Sequence, residues 1–314
     1  MKKILTYLIL ILCFNTGHAN TVNLIVPVGP GASMDDIART IAPALSKRLE
    51  KTVIVENKPG ASGSIGMEYV AKSPGDGLTL VITNNGLLNI NPMLNANSGY
   101  KSSSFVSIGL IGNWPLVLTT GALIPATNLK ELIDYIKNNP GTASWASPGI
   151  GTNLHLLGEL MKIQYNLDMV HIIYKGMSQA MIDVSEGRVT MFFDLPNSKM
   201  LGLFEMNKLK PIVVTGPTRI ATLPNTPTAI EQGYPFLNAQ GWAGISVPSS
   251  TPESILTPLR IAFAETLEDP EVKSKLRLLG VIPSNVKTYN SQKFINDEKD
   301  KWSYVIKKSN IKIE

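Results

Sequence analysis

Two stretches of the chain hold the residue types from which an anion site can be assembled. The first, Gly29-Pro30-Gly31-Ala32-Ser33-Met34-Asp35, follows an apolar run at 23–26 and precedes Ile37, Ile41, Leu45 and Leu49, spaced four apart. That pattern reads as a strand, a tight turn and an amphipathic helix. The second, Ser147-Pro148-Gly149-Ile150-Gly151-Thr152, lies between a strand-like run at 142–146 and a helical stretch with Leu156, Leu157 and Leu160. The first N–H groups of a helix have no partner within it, and together with the helix dipole they attract an anion. Neither turn holds Lys or Arg, so main-chain amides would do the holding. Ser33, with Asp36 three residues on, resembles a capping box, and Thr152 is the expected cap of the second helix. A capped turn without a ligand has the same pattern. If the two helix starts converge, each offers about 0.3–2 kcal/mol and each charge-assisted hydrogen bond about 1.5–3 kcal/mol. Several such bonds reach the roughly 8 kcal/mol of micromolar binding without any chemical step.

Residues for catalysis are sparse. His155 sits just inside the second helix with Glu159 one turn later, and His171 lies in an apolar strand. Two histidines without a cysteine make a poor metal site, and no metal or cofactor is expected. His155 is expected to line the cleft or pack at the helix start, and His171 to be a core or edge histidine. The nucleophile-elbow and phosphate-loop patterns are absent, and the glycines at 60–66 and 149–151 miss the dinucleotide spacing. Asp35 can pair with Arg39 or face a ligand. Asp194 follows Met191-Phe192-Phe193 at a strand end, where α/β proteins often place ligand groups. Either carboxylate can accept from an amine or hydroxyl. Trp114, Trp242, Tyr174, Asn84 and Asn85 also fall at strand ends.

The elements that must position these groups follow in order. Lys2 and Lys3, the apolar run 4–14 and a small-residue site ending at Ala19 read as a secretory signal, residues 1–19. Cys13 is the only cysteine, so the mature chain has no thiol for a disulfide or metal. Without Lys2 and Lys3, 27 basic residues face 24 acidic ones, a diffuse +3 that suits a small anion and argues against nucleic acid. About 295 mature residues exceed what one core organises, so two lobes are expected. Strands at 23–26, 52–56 and 78–83, separated by helices, give a parallel α/β sheet. The first crossing between lobes is placed near 119–126, and Leu223-Pro224-Asn225-Thr226-Pro227 reads as the return. Lobe 1 is then 20–120 with 224–314, and lobe 2 is 121–223.

The run Leu24-Ile25-Val26-Pro27 through Gly31 to Asp35-Asp36-Ile37-Ala38-Arg39 resembles the opening of the tripartite tricarboxylate transporter substrate-binding proteins, the Bordetella-uptake-type receptors. The likeness continues through Val55-Glu56-Asn57-Lys58-Pro59-Gly60-Ala61, Ser73-Pro74-Gly75-Asp76-Gly77 and Asn91-Pro92. It runs on through Gly149-Ile150-Gly151-Thr152-Asn153-Leu154-His155, Tyr174-Lys175-Gly176, Leu223-Pro224-Asn225-Thr226-Pro227-Thr228 and Asp269-Pro270-Glu271-Val272. The resemblance implies a two-lobed α/β periplasmic binding protein of the type II, venus-flytrap kind. It implies a non-catalytic receptor for a small organic acid that serves a membrane permease. It carries ligand-binding roles to Gly31, Ala32, Ser33 and Asp35, to Gly151, Thr152 and His155, and to Asp194. Val28, Ala32 and Met34 depart from the aromatic, glycine and small polar residue common in the family, so the ligand cannot be borrowed from a relative. A receptor feeding a sensor kinase, or an exported enzyme with His155 as general base, would share much of this pattern.

Overall fold

Thr21–Val26 forms β1, a strand buried on both faces because its sheet is later covered on both sides. The computed structural model describes residues 21–95, 97–174, 176–285 and 287–311; the expected signal segment with Ala19 and Cys13, and Lys175, lie outside the described residues. After the first turn come α1 (Ser33–Leu49), β2 (Thr52–Asn57), α2 (Ser64–Ala71) and β3 (Thr79–Thr83). α1 buries Met34, Ile37, Ala38, Ile41 and Leu45, the stripe that its three-and-four spacing dictates. A π-helical stretch, Gly86–Ile90, runs into the short α3 (Asn91–Leu94), and β4 (Phe105–Pro115) follows.

Leu116 separates β4 from β5 (Val117–Gly121), which belongs to a different sheet, so the chain changes sheets there. That second sheet is built with α4 (Leu129–Asn138), β6 (Ser144–Ser147), α5 (Asn153–Tyr165) and β7 (Val170–Ile173). It is completed by α6 (Met177–Ser185), β8 (Met191–Asp194), α7 (Ser198–Glu205) and β9 (Leu209–Val214). The chain then returns through β10 (Gln240–Pro248), α8 (Glu253–Glu268), α9 (Pro270–Leu278), β11 (Ile282–Pro283) and α10 (Ser291–Ser309).

The first sheet has the order β11-β4-β10-β3-β1-β2 and the second β7-β6-β8-β5-β9. β1, β2 and β3 are parallel as their intervening helices require, but β10 returns antiparallel between β3 and β4, which makes the whole sheet mixed. The fold is α/β, with two sheets flanked by helices. Each sheet has its own apolar core. α10 takes part in both, with Ile295 in the first core and Trp302, Val305 and Ile306 in the second.

Candidate functional site

The two glycine turns repeat one construction. Gly31 and Gly151 both take left-handed backbone, at φ 77° and 79°, a conformation costly to any residue with a Cβ. The residue after each is extended, Ala32 at φ −77°, ψ 155° and Thr152 at φ −73°, ψ 155°, and the helix begins at the next position. In each turn the glycine N–H is folded onto an acceptor four residues on. Gly31 donates to Asp35 Oδ2 at 2.9 Å, and Gly151 donates to His155 Nδ1 at 3.1 Å.

This corrects the expected capping box at Ser33. Ala32 is the N-cap, no side chain caps α1, and Ser33 is already its first helical residue. The competing acceptor is Asp35, whose carboxylate also receives Asn57 Nδ2 at 2.9 Å and Arg39 Nε at 3.0 Å. Thr152 caps α5 as its pattern suggested, accepting the His155 amide at 3.2 Å. The amides of Asp35 and His155 are thereby satisfied, by Ala32 O and by Thr152 Oγ1. The amides of Ser33 and Met34, and of Asn153 and Leu154, have no protein acceptor among the described residues.

Ser33 and Asn153 line one cavity of about 410 Å³, together with Asp194, Asn197, Trp114 and Leu116. Ile37, Leu154, Leu195, Gly241, Leu279 and Val281 complete its wall, and none of the lining side chains is Lys or Arg. A second cavity of about 260 Å³ lies between Val28 of the first turn, Gly151 and Thr152 of the second, and Asn84. Both turns therefore border a space between the two sheets. A larger depression of about 570 Å³, among Arg48, Glu265, Asp269 and Lys287, includes no part of either turn.

Of the residues singled out in the sequence, Ser33, Gly151, Thr152 and Asp194 line cavities, while Gly31 and Ala32 line neither. Asp35 and His155 are buried beneath their turns as braces. Trp114 and Asn84 reach the cavities, but Trp242 lies in the first core and Tyr174 donates its hydroxyl to Asp183 at 2.7 Å. Gly241 lets the Trp114 ring lie flat on β10, since a Cβ there would stand 1.8 Å from Trp114 Nε1. Asn85 joins the halves directly, donating to Asn153 Oδ1 at 3.2 Å while its own oxygen accepts from Asn89. Asn197, Leu279 and Val281 carried no signal beyond their place at element ends.

The second turn rests on an aromatic stack. His171 packs on Trp145 at 4.9 Å between ring centroids and lies 4.2 Å from His155. His171 stands on the edge strand β7, and its Nε2 is 2.7 Å from Ser147 Oγ at the end of β6. Burial, then the neighbouring His171 and Lys162, push His155 down to about 4; burial and Lys162 push His171 to about 4 as well. Because Nδ1 of His155 accepts the Gly151 amide, its proton sits on Nε2, which lies 3.8 Å from Glu159. Burial raises Asp35, but hydrogen bonds from Arg39, Gly31 and Asn57 outweigh it and hold the carboxyl below its usual range. Asp194 moves the other way: burial lifts it to about 6, against a partial offset from the Leu195 N–H. Among the described residues no three side chains of metal-ligating type come together, and no helix is long and apolar enough to cross a membrane.

A family model for the tripartite tricarboxylate transporter family receptor matches residues 37–311. The protein BugT of Bordetella pertussis is 30% identical over 303 residues, 96% of this chain and 92% of that protein. Among solved structures, Rpa4515 of R. palustris with adipate is 31% identical with a TM-score of 0.73, covering 93% of this chain and 98% of that one. MatC of Rhodopseudomonas palustris with bound malate is 25% identical with a TM-score of 0.70, covering 91% of this chain and 98% of that one.

Proposed function

We propose a function from the premise that this chain belongs to the tripartite tricarboxylate transporter family of receptors. The chain is a non-catalytic periplasmic receptor whose two lobes, each built on one sheet, hold a small organic acid between them. It delivers that acid to the membrane permease of a tripartite transporter. Relatives with bound adipate and malate support a carboxylate as the ligand. The observation that carries the reading is the set of unpaired amides of cavity-lining residues, at Ser33, Asn153 and Leu154, offered by two helix starts to a space without Lys or Arg. Gly31 and Ala32, with Gly151 and Thr152, shape the turns. Asp35 and His155 brace them, and Asp194 faces the ligand. His155 is a poor general base in this setting: its Nδ1 is engaged by Gly151, and its low proton affinity is that of a buried brace.

The test is a thermal-shift screen of mono-, di- and tricarboxylates on protein stripped of carried-over ligand. A ligand at 100 times its Kd adds about 2.7 kcal/mol of stability. The amide mechanism is probed by Ser33→Pro. Proline suits the first helical position, and the extended Ala32 before it accepts a following proline, so the helix survives while one ligand-facing N–H is deleted. The expected loss is about 1.5–3 kcal/mol, or roughly 10- to 150-fold in Kd. A panel without any stabiliser, or full affinity in Ser33→Pro, refutes the reading.

A further inference from the structure

Asp194 is the only ionisable side chain lining the 410 Å³ cavity among the described residues. It ends β8, and its Oδ1 accepts the N–H of Leu195 at 2.8 Å, while Oδ2 has no protein partner among the described residues. The same cavity receives the starts of α1 and α5. Two helix N-termini carry about half a positive charge each, together about one, which the ionised Asp194 balances. The cavity is therefore strongly polarised, with amide donors on one side and a carboxylate on the other. Its remaining wall is apolar, formed by Trp114, Leu116 and Val281 among others.

A ligand with two carboxylates would set one of them against Asp194 with no lysine or arginine to absorb the charge, unless it brought a proton. A simple monocarboxylic acid would satisfy the amides and leave Asp194 facing hydrocarbon. A zwitterion fits both ends. We propose that the ligand of this chain is an amino acid in the broad sense, with its carboxylate on the helix-start amides, its protonated amine on Asp194 Oδ2 and an apolar body against Trp114. This rests on the receptor reading above and adds to it the chemical class of the ligand.

Titration calorimetry at pH 7.5 compares acids that differ in one group: valerate, glutarate and 5-aminovalerate, and likewise 4-methylvalerate against leucine. At least one amine-bearing acid is expected to bind 10-fold or more tightly than its deaminated partner and, in the valerate series, than the dicarboxylate. Asp194→Asn, which removes the charge and keeps the shape, is expected to erase that preference, read as the ratio of the two affinities in the variant falling to within threefold of one. The wild-type protein gives a second readout that needs no variant. Affinity for the amine-bearing acid falls as pH drops through about 6, because Asp194 takes up a proton. His155 and Asp35, the titratable groups beneath the two turns, do not share that transition, since His155 is held to about 4 and Asp35 below its usual range. A preference that survives Asp194→Asn overturns the assignment, as does tightest binding of glutarate with net proton uptake. If amine-free acids bind and no amine preference is seen, the assignment alone falls; if no acid binds at all, the receptor reading falls with it.

Discussion

Lowering the pH from 7.5 to 5.0 should destabilise this protein through the histidines under its second turn. The folded chain withholds the proton from His155 down to about 4, whereas an unfolded histidine accepts it near 6.5. Stability from this source is therefore complete above pH 6.5 and drains away as pH falls toward 4. At pH 5.0 the loss from His155 is about 2 kcal/mol. His171 stands on an edge strand and keeps some access to water, so about half that amount is assigned to it. Asp194 works in the opposite direction. Its folded value of about 6 lies above the unfolded one, so acid returns about 1 kcal/mol after allowance for its partial exposure. Asp35, held low, contributes nothing in this window. The net expectation is a loss of about 2 kcal/mol, read by urea unfolding followed by tryptophan fluorescence at the two pH values. The control is the double substitution His155→Gln with His171→Gln, in which the new side-chain carbonyl at position 155 can still accept an amide. The loss should vanish there and leave the small Asp194 gain. Equal wild-type stability at both pH values, or an undiminished loss in the double variant, would refute the reasoning.

Asp35→Ala removes the acceptor shared by Gly31, Asn57 and Arg39 and should cost about 2–4 kcal/mol in chemical denaturation; Asp36→Ala, exposed and next in sequence, should stay within about 0.5 kcal/mol. Gly151→Ala places a Cβ on left-handed backbone at φ 79° and should lower stability by about 1 kcal/mol, measured the same way. Gly241→Ala forces the Trp114 ring off β10 and should weaken ligand binding at least 10-fold by calorimetry, with near-wild-type far-ultraviolet circular dichroism.

Much of the architecture was legible because local chemistry and tertiary demand agree. β-branched runs became β1, β2 and β3, and the two glycine turns before Ser33 and Asn153 lead into the helices whose apolar spacing announced them. The site was legible only in its backbone half. A serine followed by an aspartate suggested a cap at Ser33, yet the choice among Ser33, Asp35 and Asp36 depends on which carboxylate reaches Gly31. The histidine stack could not be read at all. It arises because β6 and β7 pair in a register that sets Trp145 beside His171, while α5 starts directly above them. The Asn85–Asn153 bond joins residues 68 apart, and the cavity wall at Leu279 and Val281 exists only once the chain has returned through β10. α6 and α7 were not read, because with nine and eight residues they are too short for an apolar spacing to repeat.

The final helix gives the molecule a mechanical constraint. A rod of 19 residues, about 28 Å long, is cemented by Ile295 at one end and by Trp302, Val305 and Ile306 toward the other, into separate interiors. Any opening of the space between the sheets must twist about this strut or shear one of its anchorages. If the proposed receptor reading holds, the lever for capture and release lies in this helix, far in sequence from the two turns assigned to the cargo.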